Sequence, residues 1–361
     1  MSTLYDALVY SKNPTNVIQY STIYNIRNQE ATVIRTNNGK LLLCWNHYGE
    51  DAADLDPSEI WAKTSVNNGK TWSDGYVVIT IPIGTTGPRC SSLYKKTNGD
   101  IILICMIGSD AGASTELWQY TSSDHGATFT DGALIHTSAD YEAKDYYTVG
   151  SDRIFKTLTG RLLYPFDVCT TSAHSSATAI TVGRVLYSDD EGATWSLSAT
   201  VMSAAVSGVE ALLAESCIWQ DPDGTLFFGS RTRSGYARIS TSSNDGTTWS
   251  NPPTKSATLE ASNASIYFGY INGKHIAIVS RPEGGVVDGT AARIHKDLWK
   301  STDKCATWSF VKNIFDEDNA RIFAEPNIFD KGNSIVVYIA AYPPAGSSQD
   351  LIFTEVLYSE F

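Results

Sequence analysis

The sequence predicts an all-β chain folded as one six-bladed β-propeller spanning residues 1–361. Two periodic patterns predict it: six apolar hairpins, each turning on a glycine, and five copies of an eight-residue motif lying between them. A third observation is that no linker or low-complexity tract divides the repeats, which places them in a single domain.

The hairpins come first in each repeat. They read ATVIRTNNGKLLLCW from Ala31, SSLYKKTNGDIILIC from Ser91, SDRIFKTLTGRLLYPF from Ser151 and ESCIWQDPDGTLFFGSR from Glu215. The last two are ASIYFGYINGKHIAIVSR from Ala264 and PNIFDKGNSIVVYIAA from Pro326. Their turn glycines are Gly39, Gly99, Gly160, Gly224, Gly273 and Gly332. Asn-Gly and Asp-Gly between apolar runs signal tight hairpins, because such turns need positive φ. The second motif reads SVNNGKTW from Ser65, SSDHGATF from Ser122, SDDEGATW from Ser188, SSNDGTTW from Ser242 and STDKCATW from Ser301. Its Asp or Asn is suited to accept hydrogen bonds from its own turn, and its aromatic to pack into the blade. Cys305 replaces the glycine of the fifth copy, so a distorted turn is expected there. Two hairpins make a four-stranded blade. The last blade has no such motif, and the segment Ala7–Tyr20 is expected to supply the strand that closes the ring.

The five motifs resemble the Asp box of sialidases, and the chain resembles that superfamily over nearly its whole length. The resemblance implies that the boxes are structural and lie on the outer rim, with catalysis elsewhere. It also marks the chain as a divergent member, because its first repeat opens with Arg27-Asn28-Gln29-Glu30 where the family has an arginine-led R-I-P.

Composition limits the partners. The formal charge of −12 disfavours nucleic acid and anionic membrane. Six cysteines without a CxxC pair do not suggest a zinc site. Neither a metal nor a cofactor is expected. The N-terminus MSTLYDALVY has no basic stretch followed by an apolar run, so no signal peptide is expected. No apolar stretch is long enough to cross a bilayer. The expectation is a soluble protein made in the cytoplasm, with release by lysis or assembly into a virus particle left open. Oligomeric state is also left open.

In a propeller the inner strand ends meet at a shared pocket, so site residues are sought at matching places in different repeats. Glu215 opens the fourth repeat and Arg231 ends the next strand, so the hairpin brings them together at one rim. The spacing resembles the sialidase segment in which a glutamate precedes the second arginine of a triad. Arg293, eight residues before the fifth box, matches the third arginine, and Arg281 is a second candidate at a comparable strand end. Gln29 occupies the first arginine's place, and Arg27 reaches the same side from two residues upstream. Glu30 is then a candidate ligand or catalytic carboxylate. Arg89, Asp152 and Arg153 open the second and third repeats and add further charge. The resemblance implies an acid aspartate in the loop before the first box, with Asp54 and Asp56 the leading candidates and Asp51 a third. It also implies a nucleophilic tyrosine opening the last repeat. A count back from Tyr338 reaches Phe323, which has no nucleophile, so Tyr147 and Tyr342 are the remaining candidates.

These residues point to a glycoside hydrolase of an acidic sugar: sialic acid, or another nonulosonic or uronic acid. Exo-α-sialidase is the leading named activity, and the expected partner is an acidic glycan or glycoconjugate. Arginines would clamp the sugar carboxylate, and Glu215 would act as base. A capsule depolymerase resembling phage endosialidases is a sub-case. The alternatives are a non-catalytic glycan-binding propeller and a protein-interaction platform.

Overall fold

A computed structural model of the chain describes residues 17–22, 24–50, 56–137 apart from 110–114, 146–204 apart from 170–179, and 212–361 apart from 283, 286, 288–292, 317–321 and 343–347. Its strands form six antiparallel sheets arranged as the blades of a β-propeller. A short strand, β1 (Val17–Gln19), comes before the first blade. Blade one holds β2 (Asn28–Arg35), β3 (Leu41–Tyr48), β4 (Ser58–Ser65) and β5 (Tyr76–Ile79). Blade two holds β6 (Thr85–Lys95), β7 (Ile101–Ser109), β8 (Thr115–Ser122) and β9 (Ala133–Thr137). In blade three the inner strand is broken into β10 (Tyr146–Thr148) and β11 (Phe155–Lys156), both paired with β12 (Leu162–Cys169). The blade continues with β13 (Thr181–Ser188) and β14 (Ser196–Leu197). Blade four runs β15 (Ala214–Gln220), β16 (Leu226–Arg231), β17 (Tyr236–Ser242) and β18 (Thr254–Glu260). Blade five runs β19 (Tyr267–Ile271), β20 (Lys274–Val279), β21 (His295–Ser301) and β22 (Ser309–Asp316). Blade six holds β23 (Ile322–Asp330), β24 (Ser334–Tyr342) and β25 (Asp350–Leu357), and β1 adds the outer strand by pairing with β25. Both ends of the described chain thus share one blade. Among the described residues no helix is long and apolar enough to cross a membrane.

Alternating side chains on each strand bury one row against each neighbouring blade. The result is six apolar clusters, one at each blade junction. Leu42, Cys44 and Ile60 meet Leu103 and Cys105 between blades one and two. Ile276, Ile278 and Leu298 meet Phe323, Val337 and Ile339 between blades five and six. The closing junction packs Leu41, Leu43 and Trp45 against Val336, Tyr338 and Leu351.

The box turns lie at the rim where the third strand of a blade ends. In the third copy, Asp190 accepts the Thr194 N–H at 2.8 Å and the Thr194 hydroxyl at 2.6 Å, while the Gly192 N–H donates to Ser188 Oγ at 2.8 Å. The fifth turn is not distorted by its cysteine. Cys305 adopts a φ of 66°, and its N–H donates to Ser301 Oγ at 3.0 Å, as the box glycines do. The hydrogen bonds of the turn therefore outweigh the steric cost of a left-handed cysteine.

Candidate active site

The rim opposite the boxes is built from one repeated backbone device. In β2, Gln29 pairs with Asn46 and Thr32 with Cys44, so three steps along the inner strand match two along its partner. The same one-residue bulge recurs in β6, β15 and β23. The first extra residue is left-handed each time: Glu30 at φ 60°, Cys90 at 57°, Glu215 at 50° and Glu325 at 55°. Asp152, in the break between β10 and β11, has φ 58°. None of these is glycine, so each position is strained, and such strain persists only where surrounding contacts fix it.

Those contacts pass from blade to blade. The Cys90 N–H donates to Glu30 Oε2 at 2.8 Å and to Asn46 Oδ1 at 3.1 Å. Arg153 N–H donates to Ser92 Oγ at 2.7 Å. Ser216, next to Glu215, donates from its N–H to Asp167 Oδ2 at 3.0 Å and from its hydroxyl to Oδ1 at 2.6 Å. The Glu325 N–H donates to Ser265 Oγ at 2.7 Å. The lower centre is tied across the ring. The Arg153 guanidinium donates to Asn327 Oδ1 at 3.3 Å and to the Ile266 carbonyl at 3.0 Å, and Asn327 Nδ2 donates to the Ala31 carbonyl and to Ser151 Oγ. Blades one, three, five and six share that knot.

The side chains at this rim are charged and poorly hydrated. Glu215 Oε1 accepts from Arg231 at 2.5 Å, with the two side chains only 15% and 8% exposed. Glu215 Oε2 is buried and has no partner among the described residues. Glu325 is pushed up to about 8 by burial and by the negative charges of Glu215 and Glu30, against the pull of Arg231 and Arg293. Burial also raises Glu30, with Arg27, the Cys90 N–H and Arg89 opposing. Beside them Lys296, fully buried, is lowered to about 7 by desolvation and by the like charge of Arg293, while Glu325 and Glu215 act in the other direction. Its ammonium donates to the Ser265 carbonyl at 2.7 Å, under the bulge that carries Glu325.

The residues nominated from sequence fall into groups. Glu215, Arg231, Arg293 and Glu30 all act electrostatically on Glu325. Arg27 and Arg89 act on Glu30; Arg27 lies 4.7 Å over the Tyr48 ring, and Arg89 donates to Thr86 Oγ1 at 2.6 Å. Arg153 forms the central knot, and Asp152 accepts from Thr32 Oγ1 at 2.9 Å and is raised to about 6 by burial. Arg281 reaches outward, with Nε 3.4 Å from Asp297 and its guanidinium 5.6 Å from the Phe310 ring. Tyr147 is fully buried between His136 and Phe166 in the core of blades two and three. Phe323 is likewise core, packed on Phe315. Tyr342 ends β24. Asp56 is partly buried at the bend before β4, while Asp51 and Asp54 lie outside the described residues.

Glu325 and Lys296 escaped the sequence reading. Gly39 and Gly224 follow Glu30 and Glu215 by nine residues, but Gly332 follows Glu325 by seven. The shorter last hairpin shifts a fixed count onto Phe323. Aligning the strand pairing rather than the turn exposes the glutamate. Lys296 sits in the alternation of β21 as one more inward residue, a place where lysine is rare unless paired.

Comparison with known proteins agrees with this architecture. The family model of the BNR repeat-like domain matches residues 39–336. No curated protein matches the chain in sequence. Among solved structures, a protein of unknown function from Dyadobacter fermentans superposes with a TM-score of 0.72 at 16% identity, covering 95% of this chain and 97% of that one. The intramolecular trans-sialidase from Ruminococcus gnavus gives 0.71 at 13% identity, covering 96% and 98%. Hadza microbial sialidase Hz136 gives 0.71 at 15%, covering 93% of this chain and 66% of that longer protein. At these identities the likeness is one of fold. With its box turns and its ring of six blades, the chain belongs to the family of the BNR repeat-like domain.

Proposed function

We propose that the protein is a glycoside hydrolase acting on an acidic sugar, of the sialic, other nonulosonic or uronic class. The observation that carries this reading is the meeting of Glu215, Arg231, Arg293 and Glu325 from three blades at one partly exposed rim. Arginine offers forked donors suited to a carboxylate, and two poorly hydrated guanidiniums fix a sugar acid more firmly than water does. Glu215 Oε2, buried and without a partner among the described residues, is a ready acceptor for a proton from an attacking water. The fold neighbours that carry the name sialidase support the same class.

Purified protein should release product from a fluorogenic glycoside of sialic acid, of a related nonulosonic acid or of a uronic acid. Glu215→Gln is expected to lower kcat about 10²–10⁴-fold. Arg231→Ala is expected to raise KM and lower kcat/KM about 10²-fold or more. Equal turnover by all three proteins would remove the assignment. A glycan-binding role without hydrolysis is favoured by one observation: β23, which opens the last repeat, carries no tyrosine, and Tyr147 is enclosed in the core. It predicts saturable binding of the same sugars with no product.

A further inference from the structure

We infer that Glu325 is the proton donor of this site and Glu215 its proton acceptor, so that two glutamates on matching bulges of blades six and four form the acid–base pair. The inference rests on the glycosidase reading and adds the division of labour within it.

The carboxyls on the bulges differ in what already holds them. Glu30 has both oxygens taken, one by the Cys90 N–H and the other by Gln29 Nε2 at 2.8 Å. It braces blade one to blade two with both oxygens engaged. Glu215 has one oxygen on Arg231 and the other without a partner among the described residues. The Glu325 carboxyl makes no hydrogen bond among the described residues, and its side chain keeps part of its surface open at the rim. Its backbone, in contrast, is fixed by Ser265, whose hydroxyl takes the Glu325 N–H and whose carbonyl takes the Lys296 ammonium. An immobilised carbon frame with an unengaged carboxyl is the arrangement a proton donor needs.

The two glutamates also differ in what stands beside them. Glu325 faces Glu215 and Glu30, which repel its charge, and Arg231 and Arg293, which favour it. Lys296 lies below, and the Arg153 guanidinium also feels the charge of Glu325. Burial and the two neighbouring carboxylates outweigh the guanidiniums, so Glu325 holds its proton well above the usual carboxylate range. Among the described residues, Glu215 alone of the two has a guanidinium in contact. A carboxylate gripped by a guanidinium is fitted to accept a proton, and an unengaged carboxyl on a fixed frame to give one.

The step then balances. The glycosidic C–O bond breaks as its exocyclic oxygen takes the Glu325 proton. A water oxygen bonds to the anomeric carbon and gives its proton to Glu215. Solvent returns that proton to Glu325, with one water consumed.

The test compares two glycosides of whichever acidic sugar the wild type cleaves, one with a nitrophenyl and one with an alkyl leaving group. Only the alkyl group needs protonation to depart. Glu325→Gln should lose about 10²-fold or more in kcat on the alkyl glycoside and stay within about tenfold on the nitrophenyl one, with its alkaline loss of rate abolished. Glu215→Gln should lose on both. Glu325→Asp, which keeps a carboxyl, should recover part of the alkyl rate. Equal losses by Glu325→Gln on both substrates, matched by Glu325→Asp, would mark a structural role and overturn the inference. A leaving-group-selective loss in Asp56→Asn but not in Glu325→Gln would also overturn it, placing the donor on the loop before β4. Turnover that survives Glu325→Gln intact on both substrates refutes the inference alone, whereas no turnover of any acidic glycoside by the wild type refutes the glycosidase reading beneath it.

Discussion

Replacing Glu325 with glutamine should flatten the response of stability to pH, whatever the protein acts on. In the folded chain this carboxyl titrates near 8 rather than 4.5 because burial and two neighbouring glutamates penalise its charge. A group with a raised folded value contributes its stability fully below the unfolded value, here 4.5, and loses it as pH rises through about 8. At about 1.4 kcal/mol for each pH unit, the gap sets a ceiling of about 5 kcal/mol between pH 4.5 and pH 9. Partial exposure of the side chain brings the expected difference to about 2–4 kcal/mol. Urea unfolding at pH 5, 7 and 9 measures it. Asp152 near 6 and Asp167 near 7 also titrate in this range, but they are present in both proteins and largely cancel, whereas Lys296, near 7, feels the Glu325 charge, so the comparison is repeated in a Lys296→Met background. Wild type should lose stability toward pH 9 by this amount relative to Glu325→Gln, which has no proton to lose. Stability curves that run parallel from pH 5 to pH 9 would show that the carboxyl is not desolvated, and the electrostatic account of the rim would fall with them.

Lys296→Met should act with the opposite sign. A lysine lowered to about 7 in the fold contributes stability above its unfolded value and loses it as pH falls toward 7, so the variant should gain on wild type between pH 10 and pH 6 in the same unfolding assay. Gly183→Ala would place a Cβ 2.7 Å from Phe228 Cζ and 2.9 Å from Cε1, deep between blades three and four, and should cost about 1–3 kcal/mol in thermal unfolding. Asp190→Ala should cost about 1–2 kcal/mol through lost turn hydrogen bonds, while Asp190→Asn should cost far less, because Asn67 and Asn244 fill the same place in other boxes and keep the same bond to the threonine N–H four residues on.

The architecture was legible because its signals are local. A glycine turn between two apolar runs, or an Asp-x-Gly-x-Thr turn, declares itself within ten residues, and repetition multiplies the signal. The Glu215–Arg231 contact was legible for the same reason: one hairpin fixes both residues, and Ala214 pairs directly with Arg231. What could not be read is what only the closed ring creates. Glu325 meets Glu215 across blades, and no spacing along the chain records that encounter. Its own repeat hid it further, because the last hairpin is shorter than the others. Arg281 and Arg293 both stand near strand ends of blade five, yet one turns to Asp297 and the outer strand while the other acts on the central glutamates. That choice depends on packing between strands, which residue order does not specify. Lys296 shows the remaining difficulty. Inward-facing lysine in an alternating strand looks like a pattern break until the carbonyl and carboxylates around it are known.

A row of repeats ordinarily melts from its ends, because an end unit has one neighbour where an inner unit has two. Here the pairing of β1 with β25 leaves no end unit, and the knot of Arg153 with Asn327 adds a spoke across the hub. Loosening any single seam must therefore strain the whole wheel. The spacing between the glutamates of blades four and six is held by the circumference, so damage far from the rim, at the joint where the wheel is closed, should be felt as a change in the grip at its centre.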